Sequence, residues 1–499
     1  MSAWPVARVA AGDRGRLFVT ALLVYAACLN PWMFNPMTWA SLDTAVSLVH
    51  TGRWQVTHGR LYGDMDVARD TTGRPVLGPP PGLALVLVPV YALWRAVAGA
   101  VETPEAFQAL HVFATLTVAA VASALAAGEV AALAAWLGAS RRGRLWAAIL
   151  FAFGTPAFLF ATRLFKENVA ALALIAAFRL AITPGGDRRR LAAGLLAGGA
   201  GLVAYPAGLF VPAIGLVVAV REGARRLAVF ALGALASLVA LGVYNAALFG
   251  RPWRFAYASY INLPEAAASV GWQWPAPSVL LNSLVHQREG LLLYSPFLIL
   301  SAVGLVAAWR GGRRVEVAGI ATFAVVLWLI TAAWLARFPS AFTGARYLFP
   351  VVPLLAAFAG PVLERVGRAV RWAAGGLSVG LTYLAVQAGH IPDPAALVYA
   401  LKTFVSGAGV PVLFKETLPA WLGIETLHTA VGRGDLHGRD VLAALATPHG
   451  WWLVLGQALT LAVAAVVIGA LALVMRRLWL TEARPGHAGT LHELGGVGP

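Results

Sequence analysis

Acidic residues are scarce in this chain, and where they gather they sit beside arginines. The stretch "MTWASLDTAVSLVHTGRW" holds Asp43, and "GDMDVARDTTGRPVLGPPPG" holds Asp64, Asp66 and Asp70, with Arg53, His58, Arg60, Arg69 and Arg74 interleaved. A carboxylate held beside a membrane can take a proton from an attacking hydroxyl, and a guanidinium can grip a phosphate. The competing reading is a solvated loop with balanced charge. Asp43 is the most pointed of these residues, because Trp39, Leu42, Ala45, Val46 and Val49 give its segment the apolar stripe of a short helix. Partial desolvation there would raise its basicity. The plainer reading is an acid near a helix N-terminus complementing the dipole.

Two further stretches carry the same types. "TRLFKEN" holds Arg163, Lys166 and Glu167, where Glu167 is either a site acid or half of a local ion pair with Arg163 or Lys166. "HQREGLLLYSP" places Arg288 and Glu289, and "FTGARYLFP" places Arg346, just before apolar runs. Arginines at such boundaries either snorkel or clamp a phosphate beside a general base.

The elements that must position these residues are membrane helices. The 499 residues are 59% hydrophobic and 12% charged, with a mean hydropathy of +0.74, and apolar runs recur at the length that crosses a core of about 30 Å. The first run, Arg16 to Phe34, has no small-residue cleavage site and is expected to stay as a membrane helix. Cys28 is the only cysteine, so neither an intramolecular disulfide nor a thiolate metal cluster can form. The formal charge of +16 comes from arginine clusters between apolar runs, the pattern of cytoplasmic turns rather than of a nucleic-acid surface.

Putting all those clusters on one side predicts about twelve helices, roughly 17–34, 107–137, 144–162, 168–182, 191–205, 207–220, 227–248, 291–309, 316–336, 346–362, 372–389 and 451–475. The run from Pro81 to Val101 breaks the parity of crossings and is expected to be re-entrant or interfacial on the outer face. The organisation expected is then roughly 1–16 as a cytoplasmic terminus and 17–389 as a transmembrane catalytic module, with a first outer loop over about 35–80 and the re-entrant segment over about 81–101. An outer loop over about 390–450, a last helix over about 451–475 and a cytoplasmic tail over about 476–499 follow. All the chemistry-bearing stretches fall on the outer face.

Other signals point nowhere specific. The ten histidines lack HExxH or other ligand spacing, so no metal site is assigned and no divalent-metal requirement has support. There is no Walker or Rossmann pattern. Most of the 18 tryptophans read as an interfacial belt, with mid-loop Trp272 and Trp274 the exceptions that could stack on a sugar.

In the order and spacing of its pieces the chain resembles the GT-C superfamily of integral-membrane glycosyltransferases, the group that includes protein O-mannosyltransferases and the lipid A aminoarabinose transferase. The pieces are "MTWASLDTAVSLVHTGRWQV", "DMDVARDTTGRPVLGPPPGLALVLVPVY", "TPAFLFATRLFKENVAALAL", "YNAALFGRPW", "REGLLLYSPFLILSAVGL" and "FTGARYLFPVVPLL". The resemblance implies an all-α polytopic membrane fold with a long first extracytoplasmic loop and interfacial helices. It also implies a polyprenyl-phosphate-linked sugar donor and transfer with inversion. It makes Asp43 or Asp66 the general base and Glu167 a second acid, with Asp64, Asp70 and His58 as further first-loop candidates. Two positions depart from the family: "NPMT" stands where many relatives carry an aspartate after the first helix, and Pro79 where many carry a lysine. Phosphate contacts then fall to Arg74, Arg288 or Arg346.

The expected function is an inner (plasma) membrane glycosyltransferase that acts on an acceptor glycan, lipid or protein at the extracytoplasmic side. It needs no cofactor that the sequence shows, and it has the bilayer rather than nucleic acid as its partner. The rivals are a transporter, a lipid-linked glycan ligase or polymerase, and a non-catalytic sugar-lipid binding protein. Against a transporter stand the lack of an inverted repeat and the long polar loops on a single face.

Overall fold

Uncharged runs of Ala, Leu and Val favour helices, because a backbone among apolar neighbours must satisfy its own hydrogen bonds. The computed structural model describes residues 11–30, 36–57, 67–259, 273–287, 290–333, 346–388, 401, 409–426 and 447–480. Its first half comprises α1 (Ala11–Ala27), α2 (Pro36–Thr51), a hairpin of β1 (Val67–Arg69) and β2 (Pro75–Leu77), α3 (Gly82–Ala98), α4 (Pro104–Ala114), α5 (Val121–Trp136), α6 (Arg141–Phe153), α7 (Pro156–Ala161), α8 (Lys166–Ile182), α9 (Asp187–Val203), α10 (Val211–Glu222) and α11 (Ala224–Phe249). The second half adds α12 (Pro277–Val285), α13 (Ile299–Arg310), α14 (Arg314–Ala333), α15 (Val352–Leu363), α16 (Arg368–Ala388) and α17 (Pro448–Leu480).

A helix occupies each of the twelve positions read from hydropathy, but among the described residues seven are long and apolar enough to cross a membrane. The others are shorter or broken. The run expected as one helix over 144–162 is two, because Gly154 ends α6 while Thr155 caps α7 with Pro156 in its first turn. In contrast, α4 and α5 are fused by a π-helical turn, Thr115–Ala120, into a rod of 33 residues. At about 1.5 Å per residue it is about 50 Å long, well beyond the hydrocarbon core.

The arginine clusters meet at one end of the bundle. Arg141 and Arg144 pair with Asp13 at 2.7 and 3.5 Å, and the amide of Ser140 donates to Glu364 at 2.8 Å. Arg313 lies over the ring of Trp136 and donates to its carbonyl at 2.8 Å. Arg221 pairs with Glu316, Arg190 with Glu222, and Arg225 and Arg226 with Asp187. Helices α1, α6, α9 and α11 start in this network and run away from it.

Close packing follows small residues. A Cβ on Gly194 would stand 2.0 Å from the carbonyl oxygen of Phe230, and one on Gly233 2.4 Å from that of Leu191, so α9 and α11 touch backbone to backbone. Gly82 does the same for α3: a Cβ there would lie 2.6 Å from the backbone of Leu202, at the end of α9 far from the charge network. From Ala98 a short turn leads into Pro104, the end of the rod far from Trp136. Both ends of α3 therefore lie opposite the arginines.

Candidate active site

The described part of the first loop includes the β hairpin, whose antiparallel register sets Val67 against Leu77, Ala68 against Val76 and Arg69 against Pro75. Its turn needs Gly73 at φ 84°. Asp70 ties the turn: its Oδ1 accepts from the Thr72 amide at 2.8 Å, the Thr72 hydroxyl at 2.7 Å and the Arg74 amide at 2.9 Å. Burial pushes the Asp70 carboxyl up, but the hydrogen bonds from Thr72 and Arg74 outweigh it and hold the group below its ordinary range. Asp70 is thus occupied as a turn acid, and Arg74 beside it is exposed.

This hairpin is pinned to the far end of α11. The Thr71 amide donates to the carbonyl of Leu248 at 2.9 Å, and the Tyr244 hydroxyl donates to that of Leu77 at 3.1 Å. Trp54 packs edge-on against Tyr244. Asn245 fixes the turn after α11 by donating to the carbonyl of Pro252 at 3.0 Å.

Asp43 stands in the middle of α2, not in its first turn, and is fully buried. The chain leaving α2 folds back over it. The Thr57 amide donates to Oδ2 at 2.8 Å and the Thr57 hydroxyl to Oδ1 at 3.0 Å. These two bonds orient the carboxylate. α2 is in turn held to α3 by His50 and Tyr91, whose side chains meet at 2.6 Å.

The second acidic stretch lies beside the first. Leu164, in the link between α7 and α8, belongs to the same buried cluster as Leu42, Ala45 and Val46 of α2. The link is anchored by the Asn30 amide, which donates to the carbonyl of Thr162 at 3.1 Å, and by Arg163, whose Nη2 donates to the carbonyl of Val386 at 3.0 Å. Glu167 occupies the first turn of α8, where the helix dipole favours a negative charge. It pairs with neither sequence neighbour. Its Oε1 lies 3.3 Å from Nε of Arg346, and both side chains are more than nine-tenths buried. Arg346 also lies over the ring of Tyr347 and donates to its hydroxyl at 3.3 Å.

The structure therefore brings Asp43, Glu167 and Arg346 to one end of the bundle and leaves Arg74 on the surface. Asp64, Asp66, His58, Arg288 and Trp272 lie outside the described residues, and Trp274 is 93% exposed. Among the described residues no group of three or more His, Cys, Asp or Glu side chains could hold a metal ion. Thr57 is the contact that sequence reasoning missed; a threonine fourteen positions after an aspartate has no periodicity to betray it.

The crystal structure of ArnT from Cupriavidus metallidurans in the apo state aligns with a TM-score of 0.50, covering 92% of this chain and 77% of that one at 18% identity. The fold is GT-C. ArnT bound to undecaprenyl phosphate aligns at 0.49 with 18% identity, covering 93% of this chain and 78% of that one. The Archaeoglobus fulgidus oligosaccharyltransferase in the apo form aligns at 0.44 with 13% identity, covering 88% and 59%. No protein-family model matches the chain, and neither does any curated protein. In this chain Asp43 lies on α2, after the first helix, and Glu167 in the first turn of α8, after the link.

Proposed function

We propose that the chain is a membrane glycosyltransferase that moves a sugar from a polyprenyl-phosphate-linked donor to an acceptor hydroxyl, with inversion. The observation that carries this reading is the buried Glu167–Arg346 pair beside the α2 cluster that holds Asp43, in a chain with the GT-C fold. Charged groups buried at one end of an apolar bundle are costly unless they serve a site.

The positive-inside rule places the arginine network in the cytoplasm, which sets the site on the extracytoplasmic face of the plasma membrane. α3, with both ends on that face, is then interfacial, beside the part of the α4–α5 rod that outruns the bilayer. A lipid donor reaches such a site sideways from the membrane while a polar acceptor arrives from water.

In the reaction the acceptor hydroxyl gives its proton to a first-loop carboxylate, Asp43 or Asp66, as its oxygen bonds to the anomeric carbon. The bond from that carbon to the phosphate oxygen breaks on the opposite face, and the polyprenyl phosphate departs with the electron pair. Arg346 is oriented by Glu167 and Tyr347, and its guanidinium meets the growing negative charge. Arg288 is assigned the same task from its place in the sequence.

The test is transfer by the purified full-length protein from a radiolabelled polyprenyl-phosphate sugar, with native mass spectrometry for a co-purifying lipid phosphate. Transfer from a soluble nucleotide sugar with no lipid present would overturn the donor assignment.

A further inference from the structure

The steps above leave Arg163 without an anion. It is 1% exposed, Nη2 is satisfied by the carbonyl of Val386 at 3.0 Å, and Nε and Nη1 have no hydrogen-bond partner. Among the described residues no carboxylate pairs with it, since Glu167, in the first turn of α8, turns to Arg346. Adjacent to Val386, Gln387 is 2% exposed and neither its Nε2 nor its Oε1 has a partner. Two unmet polar side chains thus share one stretch of backbone at the site's end of the bundle.

A guanidinium taken out of water without an anion is strongly unfavourable, and a stranded amide adds to the cost. Such violations gather where a ligand completes the hydrogen bonding. Arg346 is already compensated. Arg163 is not.

We propose that Arg163 and Gln387 form an oxyanion subsite that receives a phosphate oxygen of the lipid donor, the arginine supplying charge and the glutamine a neutral N–H. The proposal rests on the lipid-phosphate reading of the donor. It divides the work between the two arginines, with Arg163 holding the bound phosphate and Arg346, oriented by Glu167, meeting the charge that grows as the phosphate leaves.

Thermal unfolding of the full-length protein in detergent tests this, with undecaprenyl phosphate, undecaprenol and inorganic phosphate as separate additions. The wild type is expected to be stabilised by undecaprenyl phosphate and not by undecaprenol. Arg163→Met removes an uncompensated charge together with the hydrogen bond to Val386, so the ligand-free variant should unfold close to wild type, while its affinity for undecaprenyl phosphate falls by about tenfold or more. Gln387→Leu should show a smaller loss of affinity in the same direction, and it keeps the test in hand if Arg163→Met does not fold. Wild-type affinity in both variants overturns the subsite and leaves the donor reading standing. A lower ligand-free Tm in Arg163→Met with an unchanged ligand shift marks a structural arginine and likewise overturns it. A wild type indifferent to undecaprenyl phosphate overturns the subsite and the donor reading together, and stabilisation by inorganic phosphate alone overturns the lipid as the source of the anion.

Discussion

Glu167 and Arg346 come from opposite halves of the chain and meet at 3.3 Å with both side chains more than nine-tenths buried. Removing either side chain breaks a buried ion pair, so Glu167→Gln and Arg346→Met should each destabilise the protein by about 3–5 kcal/mol. Because the two losses share one cause, the Glu167→Gln/Arg346→Met double variant should lose less than their sum. Additive losses in detergent unfolding would show that the two side chains are energetically independent.

Arg346 also has a chemical test. Lysine keeps the charge but loses the planar fork, so Arg346→Lys should lower turnover and raise the donor's KM while leaving the acceptor's KM unchanged. A defect confined to the acceptor's KM would move Arg346 out of the donor site.

The base is tested among the first-loop carboxylates. Asp43→Asn or Asp66→Asn should cut transfer by about 100-fold or more, the scale of losing a general base. Asp70→Asn should leave turnover near wild type, since its carboxylate is engaged by Thr72 and Arg74 in the hairpin turn. Full turnover in both the Asp43 and Asp66 variants would remove the assignment.

At the other end of the bundle, the hydrogen bond from Arg141, with the charges of Arg141 and Arg144, outweighs burial and holds the Asp13 carboxyl below its ordinary value. A depressed carboxyl contributes stability that is present above its unfolded value of about 3.9 and is lost as pH falls through the lower folded value. Asp13→Asn should therefore lower Tm at neutral pH, and the gap to wild type should close below about pH 4. A gap of equal size at both pH values would exclude this linkage.

Much of the architecture is local physics and could be read from the chain. Apolar runs of membrane length between arginine clusters dictate helices, and the charges that cannot enter lipid mark where those helices end. The acidic stretches stood out for the same reason: a carboxylate beside a membrane has few neutral explanations. The hairpin at 67–77 was missed although "VARDTTGRPVL" carries its signal, a glycine at the left-handed position between short alternating runs. The break between α6 and α7 was likewise present in "GTP", where Gly154 and Pro156 flank the capping Thr155.

Partner choice was not legible. Sequence proximity offers Glu167 two cations, Arg163 and Lys166, yet it turns to Arg346, because a residue in the first turn of α8 faces whatever the bundle packs against it. Nor could sequence reveal that Thr57 folds back onto Asp43, or that Arg163 is buried with donors unmet. Hydropathy fixes which segments enter the membrane, since that depends on each residue's transfer energy alone. Which charges meet depends on how helices from both halves of the chain pack, and only the tertiary structure decides that.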